Sequence, residues 1–422
     1  MSARSVLADQ QTSEAGRPFL WAAGLSLFVA LAVVVLVVRD GPTRVEPARP
    51  VEALRASPAQ AAAALSSFVA AVEARDGEAL VDLAPPASTE VQDQLSGVAA
   101  NAASLDLRDV TARYVDQAGT VADDGSWAGV VEMTWRFDGF DPAPAQADVI
   151  VRFAPDGDGL AIAGFGAPES SEGRVPLWLR GELAVARSDD YLVLVDGDHQ
   201  EADDVASRVR RGIPVVTKVL PDWSGPVVVE VPGSASDLDE TLGVPSGTYA
   251  GIAAVTAGVG TDSGPDAPVH VFVNPEVTDG LRRAGAQVVM SHELVHIATD
   301  AARKPVEPWL LEGFADYVAL RDTRLPDRVT LGRAIEAARR EGVPKALPSA
   351  ADFDTQGPDL QARYEEAWLA CRIIAERLGE RVLLDLYDEV AGGAMLEDVL
   401  PRLGMPTAVL TRAWRSRLSL TS

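Results

Sequence analysis

The longest uninterrupted apolar run lies near the N-terminus of the chain. The twenty residues from Phe19 to Val38, FLWAAGLSLFVALAVVVLVV, carry no charge, and Arg39 and Asp40 end the run. A helix rises 1.5 Å per residue, so this run covers about 30 Å, which matches the hydrocarbon core of a bilayer. The pattern predicts a cytoplasmic tail over residues 1–18, a single transmembrane helix over 19–38 and a linker over 39–58.

A cleaved signal peptide is the alternative interpretation of this run. Signal peptides usually have an apolar region of about 7–15 residues, followed by a small-residue cleavage site. The run here is longer, and VVVLVVRD offers no such site, which favours an uncleaved anchor. Arg4 and Arg17 precede the run, while Arg39, Arg44 and Arg49 follow it, so the charge bias for orientation is weak. We expect a single-pass protein of the cell membrane with an extracytoplasmic body.

Two kinds of pattern share residues 59–170, and together they predict a small α+β module. Apolar residues first recur at spacings of three and four, as in PAQAAAALSSFVAAVEARDGEALVDLA, which is typical of helices. Alternating runs follow in TARYVDQAGTVA, WAGVVEMTWRFDGF and QADVIVRFAPDGDGLAIAGFG, and these predict consecutive antiparallel strands. No cluster of His, Asp or Glu stands out in this stretch, so we expect a spacer or a binding module.

Strand and helix patterns alternate in residues 175–422. Short apolar runs predict strands at 191–197, 226–231 and 268–276 and within GIAAVTAG, with helices between them. A long helical pattern, LRRAGAQVVMSHELVHIATDAAR, follows Thr278, which is a reasonable N-cap. We therefore expect a mixed sheet followed by helices, and the fold class predicted for the whole chain is α+β.

Charge and cysteine content exclude several classes of partner and site. The chain of 422 residues has a formal net charge of -25, which disfavours nucleic acid as a partner. Cys371 is the only cysteine, so neither an intramolecular disulfide nor a thiolate metal site of the Cys-x-x-Cys type is possible. Its apolar surroundings predict a small core residue. The oligomeric state stays open.

One pentapeptide of the long helix carries the candidate chemistry. His292 and His296 stand four residues apart, so both imidazoles fall on one helix face and can bind one metal ion. Glu293 lies at the edge of that face, where it can reach a metal-bound water. The alternative is that the histidines are ordinary core or surface residues. Two unpaired imidazoles and a carboxylate would be costly to bury in an apolar helix, which favours a zinc site.

A second helical pattern begins at Pro308 and contains the third candidate ligand. The segment PWLLEGFADYVA can return antiparallel to the first helix after a turn, which would bring Glu312 to the two imidazoles. Three protein ligands and one open position are typical of a catalytic zinc site. Asp316 lies four residues after Glu312 and can accept the spare N–H of a zinc-bound imidazole. A solvated helix charge is the alternative for Asp316.

These two motifs resemble those of the gluzincin metallopeptidases. HELVH followed by PWLLEGFADYVA is similar to the bacterial peptidase-MA-like family, which pairs HELxH with WLxEGxA, and the resemblance covers approximately 175–422. It implies a zincin-like fold, a bound Zn2+ and a peptide or protein substrate. It also implies a catalytic base at Glu293 and metal ligands at His292, His296 and Glu312. Separately, FVAAVEARDGEALVDLA within 59–170 resembles the cone-shaped α+β fold of the limonene-epoxide-hydrolase and polyketide-cyclase type.

The resemblance suggests one further catalytic residue and a limit on the activity. Tyr364 matches a tyrosine that often faces the metal in this family, although an amphipathic tyrosine at a helix start explains it nearly as well. Tyr317 is expected to point away from the metal. His270 is expected to be a plain strand residue, with a place lining the cleft as the alternative. The strand VHVFVN could pair with an extended substrate. The G-x-M-x-N segment of aminopeptidases is missing, which favours an endopeptidase.

The sequence leaves two alternative functions open. The first is a membrane-anchored zinc peptidase whose catalytic domain lies outside the cytoplasm. The second is a non-catalytic envelope protein that uses the peptidase-like fold and the cone-shaped module to bind a partner. The four positions needed for hydrolysis are all filled, which favours the first function.

Overall fold

The computed structural model describes residues 56–167 and 173–421. The predicted transmembrane helix over 19–38, the tail before it and nearly all of the linker after it lie outside the described residues. Within the described ranges, no helix combines the length and the apolar character needed to cross a membrane. The anchor and the orientation of the body therefore stay predictions.

Three helices and a four-stranded antiparallel sheet form the first part of the fold. The helices are α1 (Pro58–Ala74), α2 (Gly77–Val81) and α3 (Thr89–Ser104). The strands, each paired with the next in chain order, are β1 (Leu107–Ala118), β2 (Trp127–Phe137), β3 (Ala145–Asp156) and β4 (Gly159–Phe165). Positions along β2 alternate between buried and half-buried, so one face of this sheet enters the core that it shares with α1 and α3.

A mixed five-stranded sheet forms the middle of the fold. Its strands are β5 (Ala184–Arg187), β6 (Tyr191–Val195), β7 (Val227–Val231), β8 (Ala254–Gly258) and β9 (Val269–Val273). They lie in the order β5-β6-β7-β9-β8, with β6, β7 and β9 parallel and the two edge strands antiparallel to their neighbours. The expectation that VHVFVN could pair with a substrate is therefore wrong, because β9 already has a partner on each side.

Helices connect the strands of this sheet and make up the C-terminal part. The connecting helices are α4 (His199–Thr217) and α5 (Ala235–Leu242), and the short helix α6 (Pro275–Thr278) follows the last strand. The C-terminal helices are α7 (Arg283–Ala298), α8 (Pro308–Ala319), α9 (Asp327–Thr330), α10 (Gly332–Glu341), α11 (Leu360–Leu378), α12 (Glu380–Ala391), α13 (Leu396–Arg402) and α14 (Thr407–Thr421). The predicted α+β class is confirmed.

Thr278 does not cap the long helix, contrary to the expectation from the sequence. It is the last residue of the short helix α6, which begins because the Asn274 side chain accepts a hydrogen bond from the backbone N–H of Glu276. The long helix α7 starts only at Arg283. Thr278 therefore ends the short helix α6 and does not begin the long helix α7.

The five-stranded sheet is buried on both faces. Val229 and Val271 belong to the cluster that contains helices α4 and α7, whereas Val228 and Phe272 belong to the cluster that contains the four-stranded sheet. Burial on both faces explains why β7 and β9 are apolar almost throughout. The first part of the fold therefore covers one face of the second sheet. The division into separate domains at residues 170–175 stays a prediction.

A buried charged cluster lies where the two sheets meet. His270 Nδ1 lies 2.7 Å from Glu230 Oε1, and His270 Nε2 lies 2.9 Å from Asp141 Oδ1. All three residues are buried, Phe137 stacks on the imidazole, and Arg174 interacts electrostatically with Glu230. Burial alone would lower the pKa of His270, but the two carboxylates raise it to about 9. His270 is thus a charged link between the sheets and not a plain strand residue.

This cluster predicts a loss of stability at alkaline pH. The pKa of His270 rises from 6.5 in the unfolded chain to about 9 in the folded protein, so its stabilisation is complete below pH 6.5 and disappears as the pH rises through 9. The shift corresponds to on the order of 3 kcal/mol. We expect the difference in unfolding free energy between wild type and His270→Gln to shrink across this window, as measured by urea titration at each pH.

The matched control for this experiment is His199→Gln, which changes an exposed histidine at the start of α4. Its unfolding free energy should follow that of the wild type at every pH. A constant difference between wild type and His270→Gln from pH 6 to pH 9.5 would contradict the prediction.

Candidate metal centre

Helix α7 brings His292, Glu293 and His296 into the interior of the protein. All residues from 290 to 296 are buried, and Leu294 and Val295 anchor the helix in the core. The four-residue spacing places both imidazoles on one side of the helix, with their ring centroids 4.7 Å apart. The helix packs against α4, α8 and β8, so its polar side chains are enclosed by other elements.

The chain reverses direction between α7 and α8. Thr299 ends α7, and Asp300 adopts a left-handed conformation with a φ of 54°, which aspartate tolerates better than most residues. Pro308 stands in the first turn of α8, where its missing N–H leaves no hydrogen bond unmade. Helices α7 and α8 pack against each other, and Glu312 thereby reaches the imidazoles, as the sequence predicts.

Three possible ligand atoms converge on one point. His292 Nε2 lies 3.0 Å from His296 Nε2 and 3.1 Å from Glu312 Oε2, and His296 Nε2 lies 3.4 Å from the same carboxylate oxygen. Ligand atoms at 2.0–2.1 Å from a tetrahedral zinc ion are separated by roughly 3.3 Å. The spacing of the three side chains therefore suits a single metal ion of this size.

The charges around these atoms also favour a cation. Burial disfavours a charged imidazole, yet Asp316 and Glu312 raise the pKa of His292 well above its usual value. Burial would raise the pKa of Glu312, but His296 and His292 hold it far below its usual range. A buried carboxylate that stays ionised beside two ring nitrogens attracts either a proton or a metal ion. The donor set is thus suited to positive charge.

Asp316 orients one of the two imidazoles. Its Oδ1 lies 2.8 Å from Nδ1 of His292, which assigns an N–H to Nδ1 and leaves Nε2 facing Glu312. The predicted position of Asp316 on the face of Glu312 agrees with this contact. His296 has no such support, because its buried Nδ1 has no hydrogen-bond partner among the described residues.

Glu293 is the neighbour of His292 in the chain, and a residue of the five-stranded sheet donates a hydrogen bond to its side chain. Its side chain is buried, and its Oε2 accepts a hydrogen bond of 2.7 Å from the hydroxyl of Thr256 on β8. Glu293 belongs to the sequence motif, but Thr256 precedes it by 37 residues and carries no motif that could have identified it.

Tyr364 stands next to the site on the first part of α11. Its ring centroid lies 6.1 Å from that of His292, and the ring of Phe353 meets it edge-on. Burial raises the pKa of the phenol, and the carboxylates of Glu312 and Glu293 add to the rise. The hydroxyl therefore stays protonated at neutral pH and can act as a donor.

Two other residues considered from the sequence do not join the site. The Tyr317 hydroxyl donates a hydrogen bond of 2.9 Å to Glu380, so this side chain points away from the histidines, as expected. His270 lies in the charged cluster between the sheets.

Gly313 allows α8 to lie close to α11. A Cβ atom at this position would come within 2.4 Å of the carbonyl oxygen of Ala367 and 2.9 Å of Cys371 Sγ. Cys371 is fully buried here, which confirms its predicted place in the core. Because Gly313 follows Glu312 directly, this close approach also sets the position of the carboxylate. The sequence alone does not predict this role of Gly313, because it depends on the contact between α8 and α11.

Comparisons with known proteins add no further assignment. No protein-family model matches the chain, and no curated protein matches it. The resemblance to gluzincins therefore rests on the two motifs and on the distances between their side chains. The geometry by itself establishes a group of two histidines and one glutamate that can hold a metal ion.

The contact between Asp316 and His292 predicts a measurable effect on metal affinity. Loss of a carboxylate that orients a histidine ligand typically weakens metal binding by about 10- to 100-fold. We expect Asp316→Asn to bind zinc more weakly by this factor, and His292→Ala to lose stoichiometric binding, in competition titrations with a chromogenic chelator. Tyr317→Phe, on the same helix but directed elsewhere, should bind zinc as the wild type does. Equal affinities of Asp316→Asn and wild type would refute the assigned role.

The close packing at Gly313 predicts that an added methyl group will disturb both stability and metal binding. Overpacking of this kind costs about 1–3 kcal/mol, and the resulting shift of α8 would move Glu312. We expect Gly313→Ala to lower the unfolding free energy by this amount and to weaken zinc binding.

Gly332→Ala is the control for this change, since the glycine is helical and a Cβ there meets no atom within 4 Å. It should be neutral or slightly stabilising. The prediction fails if both alanine variants behave alike.

Proposed function

We propose that the protein is a membrane-anchored zinc-dependent peptidase that cleaves peptide bonds inside peptide or protein substrates. The observation that carries this proposal is the convergence of His292, His296 and Glu312 beside Glu293. In this proposal residues 175–422 form a gluzincin-type, zincin-like peptidase domain, and residues 59–170 form a cone-shaped α+β module.

Zinc is the metal that we propose for this site. Two imidazole nitrogens and a carboxylate oxygen form a common catalytic zinc site, whereas magnesium and calcium prefer oxygen ligands throughout. When bound, zinc supplies Lewis acidity that polarises a substrate carbonyl and lowers the pKa of a coordinated water to about 7. His292, His296 and Glu312 would hold the ion, and Asp316 would keep the His292 ring in the required tautomer.

Glu293 is the proposed general base. One of its oxygens accepts the hydrogen bond from Thr256, and the other can take a proton from the attacking water. The same carboxyl group can then donate this proton to the leaving amine, so that the base is restored at the end of the reaction. Burial of the side chain limits exchange of the proton with bulk water.

Tyr364 is the proposed donor to the substrate carbonyl oxygen. The phenol lies on the His292 side of the site and keeps its proton, since burial and nearby carboxylates raise its pKa. A hydrogen bond from this hydroxyl would stabilise the negative charge that develops on the oxygen during attack.

The edge strand β8 is the proposed binding place for the substrate backbone. Among residues 56–167 and 173–421 its only strand partner is β9, on one side, and Thr256 connects it to Glu293. An extended peptide can join such an edge through main-chain hydrogen bonds, which leads its scissile bond past the site. This mode of binding needs no free amino terminus and therefore supports endopeptidase activity.

The proposed location is the cell membrane, with the catalytic part outside the cytoplasm. Support comes from the apolar run over 19–38, and the strongly acidic body argues against a nucleic-acid partner. Whether the protein acts as a monomer does not enter the proposed mechanism.

The function is tested by cleavage of an unfolded generic protein by the purified zinc-loaded chain. We expect Glu293→Gln to reduce kcat by about 10²- to 10⁴-fold while zinc stays bound, because the substitution removes only the group that transfers the proton. Tyr364→Phe should reduce kcat by roughly 10²- to 10³-fold. Tyr317→Phe serves as the control and should keep full activity. A wild type that binds zinc but cleaves nothing would instead support a non-catalytic, partner-binding role.

A further inference from the structure

Thr256 connects the edge strand to the candidate base. It pairs with Val271 of β9 in antiparallel register, so the sheet fixes its backbone. Its Oγ1 lies 2.7 Å from Oε2 of Glu293 and 3.3 Å from the backbone oxygen of the same residue. The contact joins a strand to a helix and is therefore a product of tertiary packing.

The hydroxyl of Thr256 donates its hydrogen bond to the carboxylate of Glu293. A hydroxyl donates one hydrogen bond at a time, and the carboxylate oxygen is the nearer of the two acceptors. Hydrogen bonds to an ionised acceptor are also stronger than bonds to a neutral carbonyl. Within residues 56–167 and 173–421, no other side chain donates a hydrogen bond to the Glu293 carboxylate.

This bond limits the orientations that the Glu293 side chain can adopt. Glutamate has three rotatable side-chain bonds, and a base must point at the reacting water to transfer a proton efficiently. Threonine is stiff at its own χ1 because it is β-branched, so its hydroxyl is a fixed point. With Oε2 of Glu293 held by Thr256, Oε1 is the oxygen that is left to accept a proton.

We infer that Thr256 is a positioning residue that holds the Glu293 carboxylate in the orientation needed for proton transfer. The inference rests on the proposed function, since it takes Glu293 as the general base. It also ties the base to the strand along which we propose that the substrate lies. A substrate that pairs with β8 then meets a base oriented by the same strand.

Kinetics of variants at position 256 test this inference. Thr256→Val keeps the shape of the side chain but removes the donor, so we expect kcat to fall by about ten- to a hundredfold. KM should stay within about twofold and zinc content should be unchanged, because neither ligand nor backbone is altered. Thr256→Ser restores the hydroxyl and should recover kcat to within roughly threefold of the wild type. Unchanged kcat in Thr256→Val, or equal loss in both variants, overturns the inference.

Thr261→Val provides the matched control. It makes the same exchange three residues after the end of β8, where the hydroxyl contacts the backbone oxygen of Gln146 at 3.2 Å and not the site. We expect wild-type kcat and KM for this variant. A loss equal to that of Thr256→Val would assign both effects to a weakened strand edge and would overturn the inference.

A double-mutant cycle separates this inference from the proposed function. Thr256→Val, Glu293→Ala and the double variant are compared by their urea midpoints without any substrate. Both single changes remove the same bond, so the combined shift should be smaller than the sum of the two. Additive shifts overturn the inference whatever the activity. If the wild type cleaves no peptide while the shifts are non-additive, the proposed function fails and the contact stands.

Discussion

The burial of two imidazoles and a carboxylate within hydrogen-bond distance of each other is the constraint on which the site depends. Polar groups of this kind are costly in an interior unless they are paired. Here Glu312 faces both ring nitrogens, and Asp316 takes the outer N–H of His292. The arrangement is acceptable for the fold because a positive charge, from a proton or a metal ion, can be shared among the three atoms.

The helices can hold this group because the sheet behind them is covered on its other face. Valine side chains of β7 and β9 point toward α4 and α7, while Val228 and Phe272 would meet water if the four-stranded sheet were absent. In the charged cluster at this contact, each ring nitrogen of His270 has a carboxylate partner, Glu230 or Asp141. The first part of the fold thus covers the far face of the sheet against which the helices of the site pack.

The local part of the site could be predicted from the sequence, and the part made by tertiary packing could not. On a helix, the four-residue spacing of His292 and His296 places both side chains on the same face. The short connection after this helix limits the directions in which the next helix can run. Strand order is different, because an apolar run looks the same in the interior and at the edge of a sheet. The sequence therefore suggested β9 as the free edge, although β8, which has the same length and is less buried, occupies it. Thr256 and Gly313 act through contacts with distant segments, and no local pattern predicts such contacts.

The residues of the site lie on separate helices and on a strand, so their relative positions depend on how these elements pack against each other. Helix α7 carries His292, Glu293 and His296, so these three residues keep their spacing whenever the helix moves as a unit. Glu312 reaches them from α8, whose position is limited by the contact of Gly313 with α11. The orientation of Glu293 is limited separately by the bond from β8. In the proposed function, metal coordination and proton transfer would therefore depend on different interfaces, one between helices and one between helix and sheet, and each could be altered without the other.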